Sequence, residues 1–182
     1  MIYPDKELVA KINAGNTHVF RLLVSQHEQM VLRLVGRMLH DKDDQADVAQ
    51  EVFIKVYRHL KNFAFHSKLS TWIGQIAYTT ALDHLKKNKR YMAENQIAEI
   101  EYHVDYGDDP ERILNQKEIR NFIQRAIDRL PSAYQVVVVL FHQEGFSYHE
   151  IAEITGMPES SVKSNLFRAR KMLKEQLKDL MV

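Results

Sequence analysis

The 182-residue chain has the composition of an ordinary folded protein, with 45% hydrophobic residues, 27% charged residues and a net charge of +1. It contains no cysteine, which excludes disulfides and thiolate metal sites, and its longest apolar run, Val136 to Phe141, is far below the roughly 20 residues of a membrane-spanning helix. The first residues lack the basic start and apolar block of an export signal, so we expect a cytoplasmic protein.

Charge is distributed unevenly along the chain. Residues 1–92 carry 14 cations against 9 acids, residues 93–112 carry 1 against 7, and residues 113–182 carry 10 against 8. Two mildly basic blocks on either side of an acidic segment predict two modules that can each meet a polyanion. We therefore expect domains at residues 1–92 and 113–182, joined by a flexible acidic linker at residues 93–112.

The first block has helical periodicity and predicts a helical bundle. Asp5 is expected to cap a short first helix that ends at Gly15 and Asn16, and Thr17 to cap a long second helix. The third helix carries an apolar stripe at every fourth position, formed by Val48, Val52, Val56 and Leu60.

A fourth helix follows a break in the apolar pattern. Ser70 or Thr71 is expected to cap it, and it ends in the basic run KKNKR, from Lys86 to Arg90. Periodicity is then lost from Tyr91 to Pro110, where acids and turn residues accumulate, and a second helical block is expected to start near Pro110.

The C-terminal block predicts a helix-turn-helix unit. The run Val136 to Val139 is interpreted as helix, since no partner strand is visible. Ser147 and Glu150 form a capping-box pattern, Gly156 suits a left-handed helix end, and Glu159 or Ser160 is expected to open the last helix. That helix has a buried stripe on one side and an outer face of hydroxyls, cations and one aromatic, suited to a DNA major groove; the stripe is Val162, Leu166, Ala169 and Leu173.

Together these motifs resemble a known family. The strings DVAQEVFIKVYRHL, KLSTWIGQIA and LDHLKKNKR resemble the second conserved region of sigma-70 family RNA polymerase sigma factors, and LPSAYQVVVVLFHQEGFSYHEIAEITGMPESSVKSNLFRARKML resembles the fourth. Since only these two regions are present, the match is to the small extracytoplasmic-function (ECF) group. It implies an all-α, non-enzymatic factor with no metal or cofactor that directs polymerase to promoters.

The resemblance also implies partners and site residues. The partners are the clamp helices of the largest subunit of core RNA polymerase, the flap of its second-largest subunit, promoter DNA and an anti-sigma factor. The residues that would face core polymerase are Asp47, Gln50 and Glu51. Those that would contact the −10 element are Phe63, Lys68, Trp72, Thr79, Asp83, Lys86, Lys87, Lys89 and Arg90. Those that would read the −35 element are Ser160, Ser161, Lys163, Ser164, Asn165, Phe167, Arg168 and Lys171.

The resemblance also carries expectations about the non-template strand of the opened promoter and about the linker. The loop Ala64 to Ser70 would hold a flipped-out base, and the four cations from Lys86 to Arg90 would contribute a salt slope of about −3.6. The acidic linker would either pass through the polymerase or act only as a tether. Thr79, Asn165 and Gln75 differ from residues common in the family, so the promoter sequence is not transferred.

Two other functions are open to the sequence. An enzyme is disfavoured because HEIAE, at residues 149–153, lacks the second His of a zinc protease motif and no phosphate loop or nucleophile elbow occurs. The alternative is a stand-alone helix-turn-helix regulator with an N-terminal helical sensor bundle. Such a regulator would bind duplex DNA unaided as a dimer, whereas a sigma factor needs core polymerase.

Overall fold

The computed structural model describes residues 4–94 and 116–178, and within these ranges all regular structure is helical. In the first range the helices are α1 (Asp5–Asn13), α2 (Thr17–Val35), α3 (Lys42–His59) and α4 (Leu69–Glu94), with a single 3₁₀ turn at Leu60–Asn62. In the second they are α5 (Gln116–Asp128), α6 (Ser132–Val138), α7 (Tyr148–Thr155) and α8 (Glu159–Lys178). The predicted all-α class is confirmed.

The predicted caps of the first two helices are wrong. Asn16 rather than Thr17 caps α2, its side chain accepting from the Val19 N–H at 3.2 Å. Asp5 is already the first residue of α1, and its carboxylate instead accepts from the Leu69 N–H at 3.3 Å, at the start of α4. Asp5 therefore supplies an acceptor to a distant helix whose first N–H groups have no partner within the helix.

The fourth helix begins and ends away from its predicted limits. It starts at Leu69, so Ser70 and Thr71 lie inside it rather than capping it, and it continues to Glu94, beyond the expected start of the linker at residue 93. The expected helix start near Pro110 lies outside the described residues.

The valine-rich run forms helix, as predicted. Val136 to Val138 belong to α6, and the chain then continues in a wider π turn, Val139–Gln143. Propensity alone would favour a strand for four successive valines, but all four side chains are buried against neighbouring helices. Tertiary packing therefore decides the conformation here.

One apolar core runs through both parts of the chain. Val31, Val52 and Ile73 from the first four helices are fully buried, and they belong to the same cluster as Ile154 and Leu166 from the last two. Helix α7 packs on α4, which places the helix-turn-helix unit directly against the N-terminal bundle. The sequence predicts two modules on a tether, whereas the structure shows them in contact.

Candidate nucleic-acid and polymerase interfaces

A cavity opens where the chain enters α4. Its volume is about 370 Å³, within the usual range for sites that hold a small organic ring. Phe63 and Trp72 stand 5.0 Å apart between ring centroids on its lining, and His66, Thr71 and Gln75 also line it. An aromatic wall with polar neighbours suits a base removed from its stack. We call this space the base cavity.

The backbone of the preceding loop is strained at one point. Phe65 has a φ of 58°, a left-handed conformation that costs a residue with a side chain roughly 1–2 kcal/mol. Its ring packs 4.6 Å from that of Phe63, measured between centroids. Backbone strain of this kind is concentrated at binding sites, where the surroundings hold it in place.

One face of α4 leads away from the base cavity. Trp72, Thr79, Asp83, Lys86 and Arg90 follow each other at helical spacing, and at 1.5 Å per residue they span about 27 Å. Lys87 and Lys89 lie roughly 80° to either side of this line at 100° per residue, so all four cations share one half of the helix. Except for the half-buried Trp72, these side chains are exposed.

Thr79 and Lys68, both predicted −10 residues, have partners within the protein. The Thr79 hydroxyl donates to the carbonyl oxygens of Gln75 at 2.8 Å and Ile76 at 3.1 Å on its own helix. The Lys68 ammonium lies 2.9 Å from the carboxylate of Glu150 on α7. Lys68 is therefore paired across the two parts of the chain.

The helix-turn-helix unit is formed as predicted. The Ser147 N–H donates to the Glu150 carboxylate at 2.8 Å and the Glu150 N–H donates to the Ser147 hydroxyl at 3.2 Å, which completes the capping box. Gly156 ends α7 with a φ of 71°, and α8 begins at Glu159. Because glycine reaches this conformation without strain, the turn aims α8 away from α7.

The outer face of α8 carries most of the predicted −35 residues. Ser160, Ser164, Phe167 and Lys171 form its centre, and Phe167 is 71% exposed, too much for a core residue. The exposed side chains of Lys163 and Arg168 flank this line.

Two of the predicted −35 residues lie off this face. Ser161 is half-buried at its edge, and Asn165 is turned inward, where its amide donates to the sulfur of Met157 at 3.7 Å. The buried stripe is confirmed for Val162, Leu166 and Ala169, while Leu173 is half-buried.

Electrostatic interactions lie at the start of each helix of the unit. Burial of the Glu150 carboxyl opposes its ionisation, but hydrogen bonds from Ser147 and from Lys68 outweigh that effect and lower its pKa to about 2. At the start of α8 the Lys163 ammonium lies 2.8 Å from Glu159. The hydrogen bond between them raises the pKa of Lys163 and lowers that of Glu159.

The predicted polymerase patch lies on the exposed side of α3. Asp47, Gln50 and Glu51 are all exposed, opposite the buried valine stripe, and the Glu51 carboxylate lies 2.9 Å from Lys55. The same face continues through Ile54, which is 42% exposed, to Arg58. The predicted polymerase residues thus form one half of a longer stripe of charged, polar and apolar side chains along α3.

Sequence reasoning missed an apolar groove beside this patch. It has a volume of about 660 Å³ between α2 and α3, and Gln50 lies on its rim. Tyr57, which is 50% exposed, packs edge-on against Phe20 with ring centroids 4.9 Å apart. The sequence signal that could have revealed this groove is Ile54, which lies seven residues after Asp47 and therefore on the same face of α3. An exposed isoleucine on an otherwise polar face indicates a contact surface.

Comparison with known proteins identifies the family. Residues 23–91 match the model for Sigma-70 region 2, and residues 121–173 match that for Sigma-70, region 4. RNA polymerase sigma-H factor of Pseudomonas aeruginosa is 34% identical over 97% of this chain and 95% of its own length, and ECF RNA polymerase sigma-E factor of Haemophilus influenzae is 34% identical over 97% of each. The chain belongs to the ECF group of sigma-70 family sigma factors.

Solved structures share the fold. The sigma factor RpoE in complex with the anti-sigma factor NepR from Bartonella quintana superposes with a TM-score of 0.70 at 22% identity, covering 87% of this chain and 96% of that one. CnrH in complex with the cytosolic domain of CnrY gives a TM-score of 0.65 at 20% identity, covering 96% of this chain and 97% of that one.

As a member of this group the protein is an alternative sigma factor that directs transcription initiation. Because the region 2 match covers most of the N-terminal bundle, the alternative of a sensor bundle in a stand-alone regulator is wrong. The sigma-70 family to which this chain belongs consists of initiation factors rather than enzymes. Among residues 4–94 and 116–178, no helix is long and apolar enough to cross a membrane and no group of side chains is arranged to hold a metal ion.

Proposed function

We propose that this ECF sigma factor opens the −10 element with the base cavity and the exposed face of α4. The observation that carries the proposal is the continuity of these two features: a cavity walled by Phe63 and Trp72 opens onto a helical face that ends in four cations. The cavity would hold one flipped base of the non-template strand, and stacking on the aromatic rings would offset part of the few kcal/mol needed to extrude it. Lys86 to Arg90 would bind the adjoining phosphates.

The outer face of α8 would read the −35 element from the major groove. Serines at the start of a recognition helix can donate to phosphates or base edges, and the ring of Phe167 can contact a thymine methyl. Arg168 and Lys171 would bind phosphates or guanine edges. Asn165, held near Met157, would support the helix rather than contact DNA unless its side chain turns outward.

The exposed stripe of α3 would bind the clamp helices of core polymerase. The acidic and amide groups of Asp47, Gln50 and Glu51 would pair with basic groups of the clamp, and the adjoining groove would accept an apolar side chain of the same partner. A buried apolar anchor surrounded by polar contacts is the usual arrangement of an energetically important interface.

The domain boundaries and the remaining partners are proposed from membership of the family. The domains would be residues 1–92 and 113–182, with the acidic segment 93–112 as linker, and region 4 would bind the flap of the second-largest polymerase subunit. We propose an anti-sigma factor as regulator because one similar fold, RpoE of Bartonella quintana, was solved in complex with the anti-sigma factor NepR. With polymerase as its partner, the protein would act in the cytoplasm.

Alanine substitutions at Asp47, Gln50 and Glu51 test the polymerase surface. We expect the triple variant to bind core polymerase at least about tenfold more weakly, since a few central residues carry most interface energy. Replacing Glu7 and Lys11, an exposed pair on α1, by alanine is the control and leaves the affinity unchanged. Wild-type affinity in the triple variant, measured by fluorescence anisotropy with labelled chain, would overturn the assignment.

A further inference from the structure

Phe65 is the one residue besides glycine that has a positive φ among residues 4–94 and 116–178. Its φ of 58° lies in the left-handed region, which glycine enters freely and which costs free energy in a residue with a Cβ. Glycine at position 65 would form the same loop without strain. A strained aromatic residue at a place that glycine fits better indicates a role for the ring itself.

The side chain of Phe65 is also exposed. The exposed Phe, Tyr and Trp side chains in the described part of the chain are Tyr57, Phe65 and Phe167. Tyr57 lines the apolar groove between α2 and α3, and Phe167 lies at the centre of the outer face of α8. Phe65, which is 38% exposed, belongs to neither surface.

Three aromatic rings form a row that begins in the base cavity. Trp72 and Phe63 line the cavity with their ring centroids 5.0 Å apart, and the Phe65 ring lies 4.6 Å from that of Phe63 at an interplanar angle of 52°. Phe63 is 9% exposed and contacts both neighbours, whereas Phe65 lies outside the cavity lining. Phe63 therefore supports the Phe65 ring on one side, and part of that ring is open to solvent.

An open aromatic ring beside a base site suits a second unpaired base. Every base has a π face, so stacking on an aromatic side chain contributes to single-stranded DNA binding whatever the sequence. Neighbouring bases of one strand are about 3.4 Å apart when they are stacked and farther apart when they are not. The base next to the one in the cavity can therefore reach a ring that lies 4.6 Å from the Phe63 ring on the cavity wall.

We propose that the exposed ring of Phe65 is a second stacking site, which holds the unpaired base next to the one in the base cavity. The inference rests on the proposed role of the cavity in binding the −10 strand. The two sites hold two neighbouring bases of the non-template strand, one enclosed in the cavity and one stacked on the loop. Because a ring face distinguishes the bases weakly, the second site accepts any base.

Substitutions can separate stacking from simple cover of Phe63. Phe65→Leu keeps an apolar side chain against Phe63 but removes the aromatic face, whereas Phe65→Tyr keeps that face and is the matched control. Trp72→Leu removes an aromatic face from the cavity in the same way. Urea titration of the free chains checks the fold, and Gln75→Ala, at an exposed position of the cavity lining, replaces Trp72→Leu if the latter is unfolded.

The test measures holoenzyme binding to a labelled single strand by fluorescence anisotropy. The strand carries the non-template −10 sequence of a promoter that the holoenzyme uses, and it is prepared with an abasic sugar at each position in turn. We expect Phe65→Leu to weaken binding of the intact strand about fivefold or more and Phe65→Tyr to leave it unchanged.

The abasic strands show which base each ring contacts. At one abasic position Phe65→Leu should have no further effect, because the base that stacks on the ring is missing. This position should be next to the one at which the cavity variant loses its effect.

Other results overturn the second site. If both variants lose their effect at the same position, Phe65 only supports the cavity. An equal effect of Phe65→Leu at every abasic position, wild-type binding by Phe65→Leu, or equal weakening by Phe65→Leu and Phe65→Tyr would also overturn it. Failure of the proposed function looks different, since no abasic position then removes the effect of the cavity variant, whatever Phe65→Leu does.

Discussion

Removing cations from the end of α4 tests the proposed −10 surface quantitatively. Lys86, Lys87, Lys89 and Arg90 are exposed on one half of the helix, so each can release counterions from a phosphate. Four contacts contribute a slope of about −3.6 to the dependence of log affinity on log salt, and two contribute about −1.8. Between 50 and 200 mM salt, the contribution of these phosphate contacts to the affinity falls by about 150-fold with four cations and by about 12-fold with two.

The experiment replaces Lys86 and Lys87 by glutamine, which preserves the helix, and measures holoenzyme binding to a promoter duplex across this salt range. We expect the total slope to become less steep by about 1.8. Replacing Lys6 and Lys11 of α1 by glutamine removes the same charge from a surface with no assigned DNA role and leaves the slope unchanged. An unchanged slope in the α4 variant, or an equal change in both variants, would refute the proposed contacts.

The remaining predictions concern the helix-turn-helix unit. Phe167→Ala should weaken −35 binding in a gel-shift assay but change the free energy of unfolding by less than about 0.5 kcal/mol, because its side chain is exposed. Leu166→Ala, one residue away but 1% exposed, should lower the free energy of unfolding by about 2–5 kcal/mol in urea titration. Gly156→Ala should lower it by about 1 kcal/mol, because the φ of 71° strains any side chain. Because the pKa of Glu150 is about 2 instead of 4.5, its stabilising contribution is complete above pH 4.5 and is lost as the pH falls towards 2; the Glu150→Gln variant should lack this part of the pH dependence in acid unfolding. Equal effects of the Phe167 and Leu166 substitutions on stability, or an unaltered pH profile without Glu150, would contradict this description of the unit.

Local signals predicted the helix-turn-helix unit well. The Ser147 and Glu150 pattern, the glycine at position 156 and the apolar stripe of α8 each depend on neighbouring residues alone. Each is found as expected, except that Leu173 of the stripe is only half-buried. The same holds for α3, where the valine stripe is buried and the predicted polymerase residues are exposed. Short-range periodicity is sufficient for features of this kind.

Features that depend on distant residues were not predictable from the sequence. Asp5 has the right type and position to cap its own helix, but tertiary structure directs its carboxylate to Leu69, which is 64 residues away. The contact between α4 and α7 depends on Gly74 and Ile154, and neither carries a local signal for the other. Nor does any local pattern place Glu153 beside Phe63 and Trp72 on the lining of the base cavity.

The most direct test of the central claim is transcription from a promoter library by core RNA polymerase with and without the purified chain. We expect the chain to co-elute with core polymerase in size exclusion, to bind duplex DNA weakly by itself, and to cause initiation at a defined set of promoters that share −35 and −10 elements. A chain that elutes as a dimer, binds duplex unaided and leaves the pattern of initiation unchanged would contradict its role as a sigma factor.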